Sequence, residues 1–129
     1  MIIRIYYEDT DAGGVVYHSN YLKFCERARS EVFFDKIDIF DPIKGHFLLT
    51  KVNCSFLKSA KLGDILEIKN YLLFLKNASL GIKQNIYKSG ELIFSGDFTL
   101  AYVKNNKVCI MNNDLKELLK NNITNYYTL

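Results

Sequence analysis

Hydrophobic residues recur with two different periods along the chain, and the change of period falls near Phe47. Between about residues 21 and 34, apolar side chains return at helical spacing. From Phe47 onward the period is two, which is typical of β-strands. A short first run, residues 2–7, also alternates. The pattern predicts one strand, then one long helix, then several strands, with the helix stripe formed by Tyr21, Cys25, Ala28 and Val32.

Four alternating runs follow Phe47, and turn-forming residues separate them. Consecutive runs joined by turns predict three hairpins and an antiparallel meander. We expect the long helix to cover the apolar face of this sheet. The predicted core positions are Leu48, Val52, Cys54 and Phe56 in the first run, Leu66, Ile68, Leu72 and Phe74 in the second, Leu80, Ile82 and Ile86 in the third, and Leu92, Phe94, Phe98, Leu100 and Tyr102 in the fourth.

Two shorter segments complete the predicted organisation. Residues 38–45 contain the only proline, Pro42, and are predicted to form a loop. Residues 114–119 are predicted to form a short amphipathic helix that an Asp-x-x-Glu capping pattern opens at Asp114. From Asn121 onward we expect a frayed end. The whole chain, residues 1–129, is therefore predicted to form a single α+β domain.

Composition narrows the classes of function. The chain is 49% hydrophobic and 24% charged, which is ordinary for a soluble protein. A net charge of +3 from scattered lysines is too small for a nucleic-acid-binding surface. No apolar run approaches the ~20 residues of a membrane span, and the N-terminal run is too short and polar for a signal peptide. Cys25, Cys54 and Cys109 lie far apart and predict reduced thiols in the cytoplasm.

The stretch with the most candidate chemistry lies between the first strand and the long helix. Residues 7–21 contain three carboxylates, two adjacent glycines and His18, which Ser19 and Asn20 follow. We expect Ser19 or Asn20 to cap the helix. The start of the helix then lies beside the acidic loop, where free N–H groups stabilise negative charge that develops next to them.

Three kinds of site fit this loop poorly. An EF-hand calcium loop is disfavoured because Gly13 and Asn20 would occupy its fifth and twelfth positions. A nucleophilic pair of His18 and Cys25 is disfavoured because two helical turns separate these residues by roughly 10 Å. A phosphate-binding glycine loop is disfavoured because the nearby carboxylates repel phosphate and the glycine spacing is different.

Acyl-group hydrolysis fits the loop better. A carboxylate near a helix N-terminus can attack a carbonyl carbon, or activate the water that attacks it. The N–H groups of the helix then receive the oxyanion, and one such donor is typically worth about 10²–10³ in rate. A thioester has an activated carbonyl and a good leaving group, so this modest apparatus would suffice for it.

The run DTDAGGVVYHSNYL, from Asp9 to Leu22, resembles the signature of the 4-hydroxybenzoyl-CoA thioesterase family of hotdog-fold proteins. Within that family, a histidine four residues after Gly14, here His18, resembles the YbgC-type acyl-CoA thioesterases. The resemblance covers nearly the whole chain, because the order of one helix and then four strands also matches. It implies a hotdog fold, in which an antiparallel sheet of about five strands wraps around one long helix.

The resemblance also implies an activity and a set of site residues. It implies an acyl-CoA thioesterase that releases a carboxylic acid and CoA without a metal or other cofactor. Asp11 would be the nucleophile or the general base, and the backbone N–H at His18 would polarise the thioester carbonyl. Tyr7 would line the same pocket. The substrate-binding residues would be Gly14, Val15, Ser19, Lys58 and Lys61.

Two positions depart from the family pattern. Gly13 and Gly14 replace a more usual single glycine, which is expected to loosen the loop. The segment Ser59-Ala60-Lys61 stands where Pro-Ala-Arg is frequent. Lys58 and Lys61 are therefore the candidates for contacts with the phosphates of CoA.

The expected partners follow from the same reasoning. An acyl-CoA is the expected substrate and an acyl carrier protein a further candidate partner, whereas nucleic acid is not expected. An exposed edge strand and a mixed outer sheet face predict a homodimer through paired edge strands, or a homotetramer of two such dimers. Each pocket would then lie at a subunit boundary. A non-catalytic module that binds acyl-CoA or acyl carrier protein in phospholipid metabolism is the alternative function.

Overall fold

One long helix and one sheet dominate the computed structural model, which describes residues 1–36, 40–41 and 43–129. Pro42 and part of the loop predicted around it lie outside the described residues. Helix α1 spans His18–Glu31 and helix α2 spans Asn113–Asn122. Short 3₁₀ helices lie at Tyr7–Asp9 and Tyr126–Thr128. The strands are β1 Ile2–Arg4, β2 His46–Phe56, β3 Ile65–Leu75, β4 Ser79–Lys88, β5 Glu91–Lys104, β6 Lys107–Val108 and β7 Thr124–Asn125.

The strand order of the sheet is β1-β3-β4-β5-β2. These strands pair antiparallel, whereas β7 adds to β3 in parallel and β6 adds to β5. The predicted antiparallel sheet with one long helix is confirmed. The predicted meander holds only for β3, β4 and β5, because β2 crosses to the far edge and pairs with β5. The side of β3 that was expected to receive β2 receives β1 instead.

Three bulges change which residues face the core. A register shift after Leu49 turns Leu48 to the outer face, and Leu49 lies opposite Leu100 in its place. A second shift, before Phe74, places this residue opposite Gly81 rather than opposite a buried apolar residue. A third shift, between Ile86 and Tyr87, leaves Ile93 of β5 buried at 1% exposure in place of Leu92. The predicted core positions Leu48, Phe74 and Leu92 are therefore wrong, because an extra residue in a strand reverses the alternation of its side chains.

The helix stripe forms much of the core, as its spacing predicts. Tyr21, Cys25 and Ala28 are each at most 4% exposed and pack against the sheet. Burial raises the pKa of the Cys25 thiol to about 12, so this thiol stays protonated and unreactive. A second cluster lies at the other end of the sheet, where α2 covers it through the fully buried Leu119. The long helix is thus not alone in covering the apolar face.

Three predicted element ends are wrong. β1 stops at Arg4, because the chain turns into a 3₁₀ helix at Tyr7–Asp9. The cap of α2 is Asn112 rather than Asp114, since the Asn112 side chain accepts a hydrogen bond from the Leu115 N–H at 2.8 Å. The chain after α2 does not fray, because Ile123 is 3% exposed and β7 pairs with β3.

A buried polar network joins α1 to the sheet, and hydrophobic periodicity gives no sign of it. The Gln84 side chain on β4 is fully buried and accepts a hydrogen bond from Arg29 Nη1 at 2.8 Å. It donates to the Cys25 carbonyl at 2.8 Å and to Asn70 Oδ1 at 2.7 Å. Asn70 donates in turn to the Ala28 carbonyl at 3.0 Å. Because the Gln84 amide is satisfied on both sides, the network sets how α1 lies on the sheet.

Replacing Gln84 by leucine should lower the free energy of unfolding by about 2–4 kcal/mol, because Arg29 and Asn70 would keep buried polar groups without partners. Denaturant unfolding followed by circular dichroism measures this change. Lys104→Ala, at an exposed position of β5, is the control and should stay within about 0.5 kcal/mol of wild type. Equal stability of Gln84→Leu and wild type would contradict the role given to the network.

Candidate active site

The segment before α1 forms a tight, hydrogen-bonded loop. The Asp11 N–H donates to the Val15 carbonyl at 2.8 Å, and the Gly14 N–H donates to the Asp11 carbonyl at 3.1 Å. Gly14 has a φ of +82°, in the left-handed region that glycine adopts without strain. The Gly13 N–H donates to Asp11 Oδ1 at 2.8 Å. The adjacent glycines therefore have separate roles: Gly14 makes the turn and Gly13 holds the carboxylate.

The backbone of the segment after β2 anchors this loop. The Val16 N–H donates to the Ala60 carbonyl at 2.8 Å, and the Ala60 N–H donates to the Tyr21 hydroxyl at 3.0 Å. Val15 also forms a β-bridge with Lys61. Ala60 is fully buried, and burial of the Tyr21 hydroxyl raises its pKa. The acidic loop, the first turn of α1 and the segment after β2 are therefore held together by hydrogen bonds.

Helix α1 begins at His18, and the residue at its cap position is Tyr17, which makes no side-chain capping bond. The predicted cap at Ser19 or Asn20 is wrong, because both residues lie inside the helix. The Asn20 side chain donates to the Asp9 carbonyl at 2.9 Å instead. Within the described part of the chain, the backbone N–H groups of His18 and Ser19 have no hydrogen-bond acceptor. They are therefore available to a ligand.

A cleft of about 280 Å³ lies at this helix start. The Asp11 side chain is exposed there, and its Oδ2 atom has no partner among the described residues. The ring centroid of His18 lies 4.5 Å from that of Tyr17 and 6.2 Å from that of Phe56. These ring contacts orient the imidazole. The cleft is lined by Asp11, Val15, Val16, His18, Tyr21, Phe56, Leu57, Lys58 and Ser59.

The structure brings half of the predicted site residues to this cleft, namely Asp11, Val15, His18 and Lys58. The predicted residues that do not line it in the protomer are Tyr7, Gly14, Ser19 and Lys61. Tyr7 has an 82% exposed side chain, and its carbonyl accepts hydrogen bonds from the Thr10 hydroxyl at 2.9 Å and the Thr10 N–H at 3.1 Å. In the protomer, Tyr7 therefore supports the loop through its backbone.

The two candidate lysines have different surroundings. Lys58 lines the cleft, but its ammonium forms a salt bridge with Glu91. The Lys61 side chain is exposed, and its backbone N–H donates to Asp64 Oδ2 at 2.9 Å. Lys61 thus has an exposed ammonium beside the loop, whereas Lys58 would have to exchange a partner to bind an anion.

The aromatic floor of the cleft is the part that sequence reasoning missed. The Tyr21 ring stacks on the Phe94 ring at 5.7 Å and meets the Phe56 ring at 5.8 Å. Periodicity did identify Tyr21 and Phe56 as apolar positions, because the helical and strand patterns assigned both residues to the core. Periodicity cannot show that the edge of a core is also the floor of a cleft.

A second hollow, of about 330 Å³, lies between the C-terminal half of α1 and strand β2. We call it the α1–β2 groove. Its polar lining comes from one face of α1, namely Glu26, Arg29 and Ser30. Its apolar lining is Phe33, Phe40, Phe47, Leu48, Leu49, Leu80 and Leu100. The groove is therefore an apolar channel with charged groups on its helix side.

Comparison with known proteins decides the family. The sequence profile described as the thioesterase superfamily matches residues 13–94, which is more than half of the chain. The chain belongs to the thioesterase superfamily. No described helix of this superfamily member is long and apolar enough to cross a membrane.

Curated relatives cover most of this thioesterase-superfamily chain. An acyl-CoA thioesterase YbgC of Helicobacter pylori is 45% identical over 87 residues, which are 67% of this chain and 65% of the relative. The acyl-CoA thioester hydrolase YbgC of Escherichia coli O157:H7 is 38% identical over 98 residues, 72% of each chain. The matched part is thus about 65% of the length of the Helicobacter relative.

Solved structures confirm the expected hotdog fold. A gentisyl-coenzyme A thioesterase superposes with a TM-score of 0.79 at 26% identity and covers 91% of this chain and 96% of its own. A hypothetical protein from Aquifex aeolicus superposes with a TM-score of 0.85 at 24% identity and covers 93% of this chain and 98% of its own.

Gly14→Ala should lower the melting temperature by about 3–8 °C, because an alanine at positive φ costs about 1–2 kcal/mol. Gly63→Ala is a matched control, since Gly63 has a φ of +87° and, like Gly14, has open space at its Cβ position. Both variants should lose similar stability in thermal scans. Only Gly14→Ala should also weaken ligand binding or turnover at the cleft, so an equal loss in both variants would contradict the role of the loop.

Proposed function

We propose that this chain hydrolyses acyl-CoA thioesters to a free carboxylic acid and CoA. The observation that carries the proposal is the meeting of Asp11 with the uncapped start of α1 at one cleft. The free Asp11 oxygen would attack the thioester carbonyl carbon, or take a proton from the water that attacks it. The N–H groups of His18 and Ser19 would receive the oxyanion, helped by the positive end of the helix.

His18 and Tyr7 have supporting roles in this proposal. The His18 imidazole has no hydrogen-bond partner among the described residues and lies at the cleft, so it can orient the thioester carbonyl or the attacking water. The Tyr7 phenol points to solvent in the protomer. It can reach the reaction only when a bound substrate or a second chain lies across the loop.

The names of the relatives support acyl-CoA as the substrate class. Two YbgC relatives act on acyl-CoA by name, and a structural neighbour is named for gentisyl-coenzyme A. The exposed ammonium of Lys61 lies beside the loop and is the better candidate for a CoA phosphate. An acyl carrier protein presents the same thioester and is a further candidate donor. Water is the only co-reactant that this hydrolysis needs.

Asp11→Asn should leave the fold intact and reduce hydrolysis by about 10² or more, because the amide cannot take up a proton or act as the nucleophile. Release of CoA from a panel of short, long and aromatic acyl-CoA esters, followed with a thiol reagent, measures the effect. Glu8→Gln, at an exposed carboxylate of the same segment, is the matched control and should retain activity. Undiminished turnover by Asp11→Asn would refute the mechanism, and binding without turnover by the wild type would favour an acyl-binding module.

We further propose that two chains pair through β2. This strand has 11 residues, and within the described part of the chain only one of its sides has a partner strand. Its free edge carries half-exposed apolar side chains, including Leu48 at 49% and Leu49 at 47%. A long, apolar, unpaired edge is unfavourable in an isolated protein. Two-fold pairing of identical edges would bury it, and two such dimers would give a tetramer.

Antiparallel pairing of β2 would also complete the site. Phe56 at one end of β2 belongs to the cleft, and Phe47 at the other end belongs to the α1–β2 groove. Two antiparallel copies would bring the cleft end of one strand beside the groove end of the other. The thioester would then react in one protomer while its acyl group lies in the groove of the partner.

Leu48→Lys should shift the protein from dimer or tetramer to monomer, because pairing would bury a charged side chain without a partner in the apolar contact between the two β2 edges. Light scattering at micromolar concentration measures the mass. Leu62→Lys is the control, since Leu62 is 42% exposed in the turn before β3 and should leave the assembly unchanged. A wild-type protein that is monomeric under these conditions would contradict the pairing.

A further inference from the structure

Arg29 is half-buried and lines the helix side of the α1–β2 groove. Its Nη1 donates to Gln84 Oε1 at 2.8 Å, and its Cζ lies 4.8 Å from the centroid of the Phe98 ring. No carboxylate in the described part of the chain forms a salt bridge with it. Glu26 is one turn earlier on the helix, where its Oε1 accepts a hydrogen bond from the Ser30 hydroxyl at 2.9 Å.

This environment compensates the charge of Arg29 only in part. A guanidinium has five N–H donors, whereas Arg29 donates one hydrogen bond to a neutral acceptor, lies over one aromatic face and interacts with the Glu26 carboxylate only through space. Burial lowers its pKa, although an arginine stays charged at neutral pH. An oxygen that entered the groove would meet this charge between apolar walls, where charge-assisted hydrogen bonds are strong.

We infer that Arg29 is a specificity-determining residue that binds a carboxylate at the far end of the acyl group. The substrate class would be the CoA thioesters of dicarboxylic acids. The methylene chain would lie against the apolar walls, and the planar guanidinium would bind the terminal carboxylate through two N–H groups. This inference rests on the proposed function and on the β2 pairing, which bring the groove beside the cleft of the partner.

Discrimination follows from the same geometry. A plain alkyl chain in the groove would exclude water from Arg29 without offering an acceptor, and desolvating a charged donor in this way is costly. A terminal carboxylate would replace that lost water.

The test compares straight-chain acyl-CoA esters with ω-carboxyacyl-CoA esters of equal chain length, from about four to ten carbons. For at least one length, the wild-type kcat/KM should be higher for the ω-carboxy ester. Arg29→Met keeps an unbranched stem over Phe98 and should lower kcat/KM for that ester by about 10–10²-fold more than it lowers kcat/KM for the alkyl ester of the same length. A parallel loss for both series, or no preference in the wild type, would overturn the inference.

A control and a second variant separate specificity from folding. Arg27→Met removes an exposed cation of α1 that does not line the groove, and it should keep the wild-type preference. If Arg29→Met does not fold, Arg29→Lys is measured with the same ester pairs. Lysine keeps the charge but not the planar fork, so it should retain part of the preference. An unchanged preference in Arg29→Lys would contradict binding through the fork.

Calorimetric titration with the free dicarboxylic acids separates this inference from the proposed function. If the protein hydrolyses no acyl-CoA but binds a dicarboxylic acid, and Arg29→Met weakens this binding, the thioesterase activity is refuted and the carboxylate site is supported. Conversely, the protein could hydrolyse alkyl-CoA esters, bind no dicarboxylic acid and show no preference that depends on Arg29. This result would support the thioesterase activity and refute the carboxylate site.

Discussion

The candidate site depends on the two hydrogen bonds of one buried residue, Ala60. Its carbonyl accepts from Val16 in the acidic loop, and its N–H donates to the hydroxyl of Tyr21 in α1. An exposed loop that carries two glycines would otherwise be free to move. Because both partners are held by a residue that has no exposed surface, the loop keeps a fixed position relative to the helix start. Electrostatic stabilisation of an oxyanion needs this kind of preorganisation.

The polar network around Gln84 holds the C-terminal half of α1, as the Ala60 hydrogen bonds hold its start. It fixes the helix on the sheet, and one of its members, Arg29, also lines the α1–β2 groove. A fully apolar core at this point would pack as well without needing matched partners. A substitution of Gln84 would therefore change both the stability of the helix and the position of Arg29 at the groove.

The helix stripe and the strand periods could be predicted because burial imposes them directly on local sequence. The position of Asp11 in a loop beside the start of α1 could be predicted because a contiguous signature places it just before the helix. The outward orientation of Leu48 and Phe74 could not be predicted, since a bulge reverses the alternation of side chains and no particular residue type marks it in the sequence. The crossing of β2 to β5, the Ala60 bonds and the Gln84 network join residues that are distant in the chain, and a periodic pattern contains no information on such pairs.

The bulge in β2 also bears on colloidal behaviour. A regular apolar edge strand can recruit further chains indefinitely and nucleate cross-β fibrils. The register shift between Leu49 and Lys51 adds local twist near the middle of this edge, so two copies can pair in a twisted sheet whereas an extended flat stack of many copies is disfavoured. The bulge that reverses the side-chain alternation of β2 would thereby also protect the folded molecule against amyloid growth.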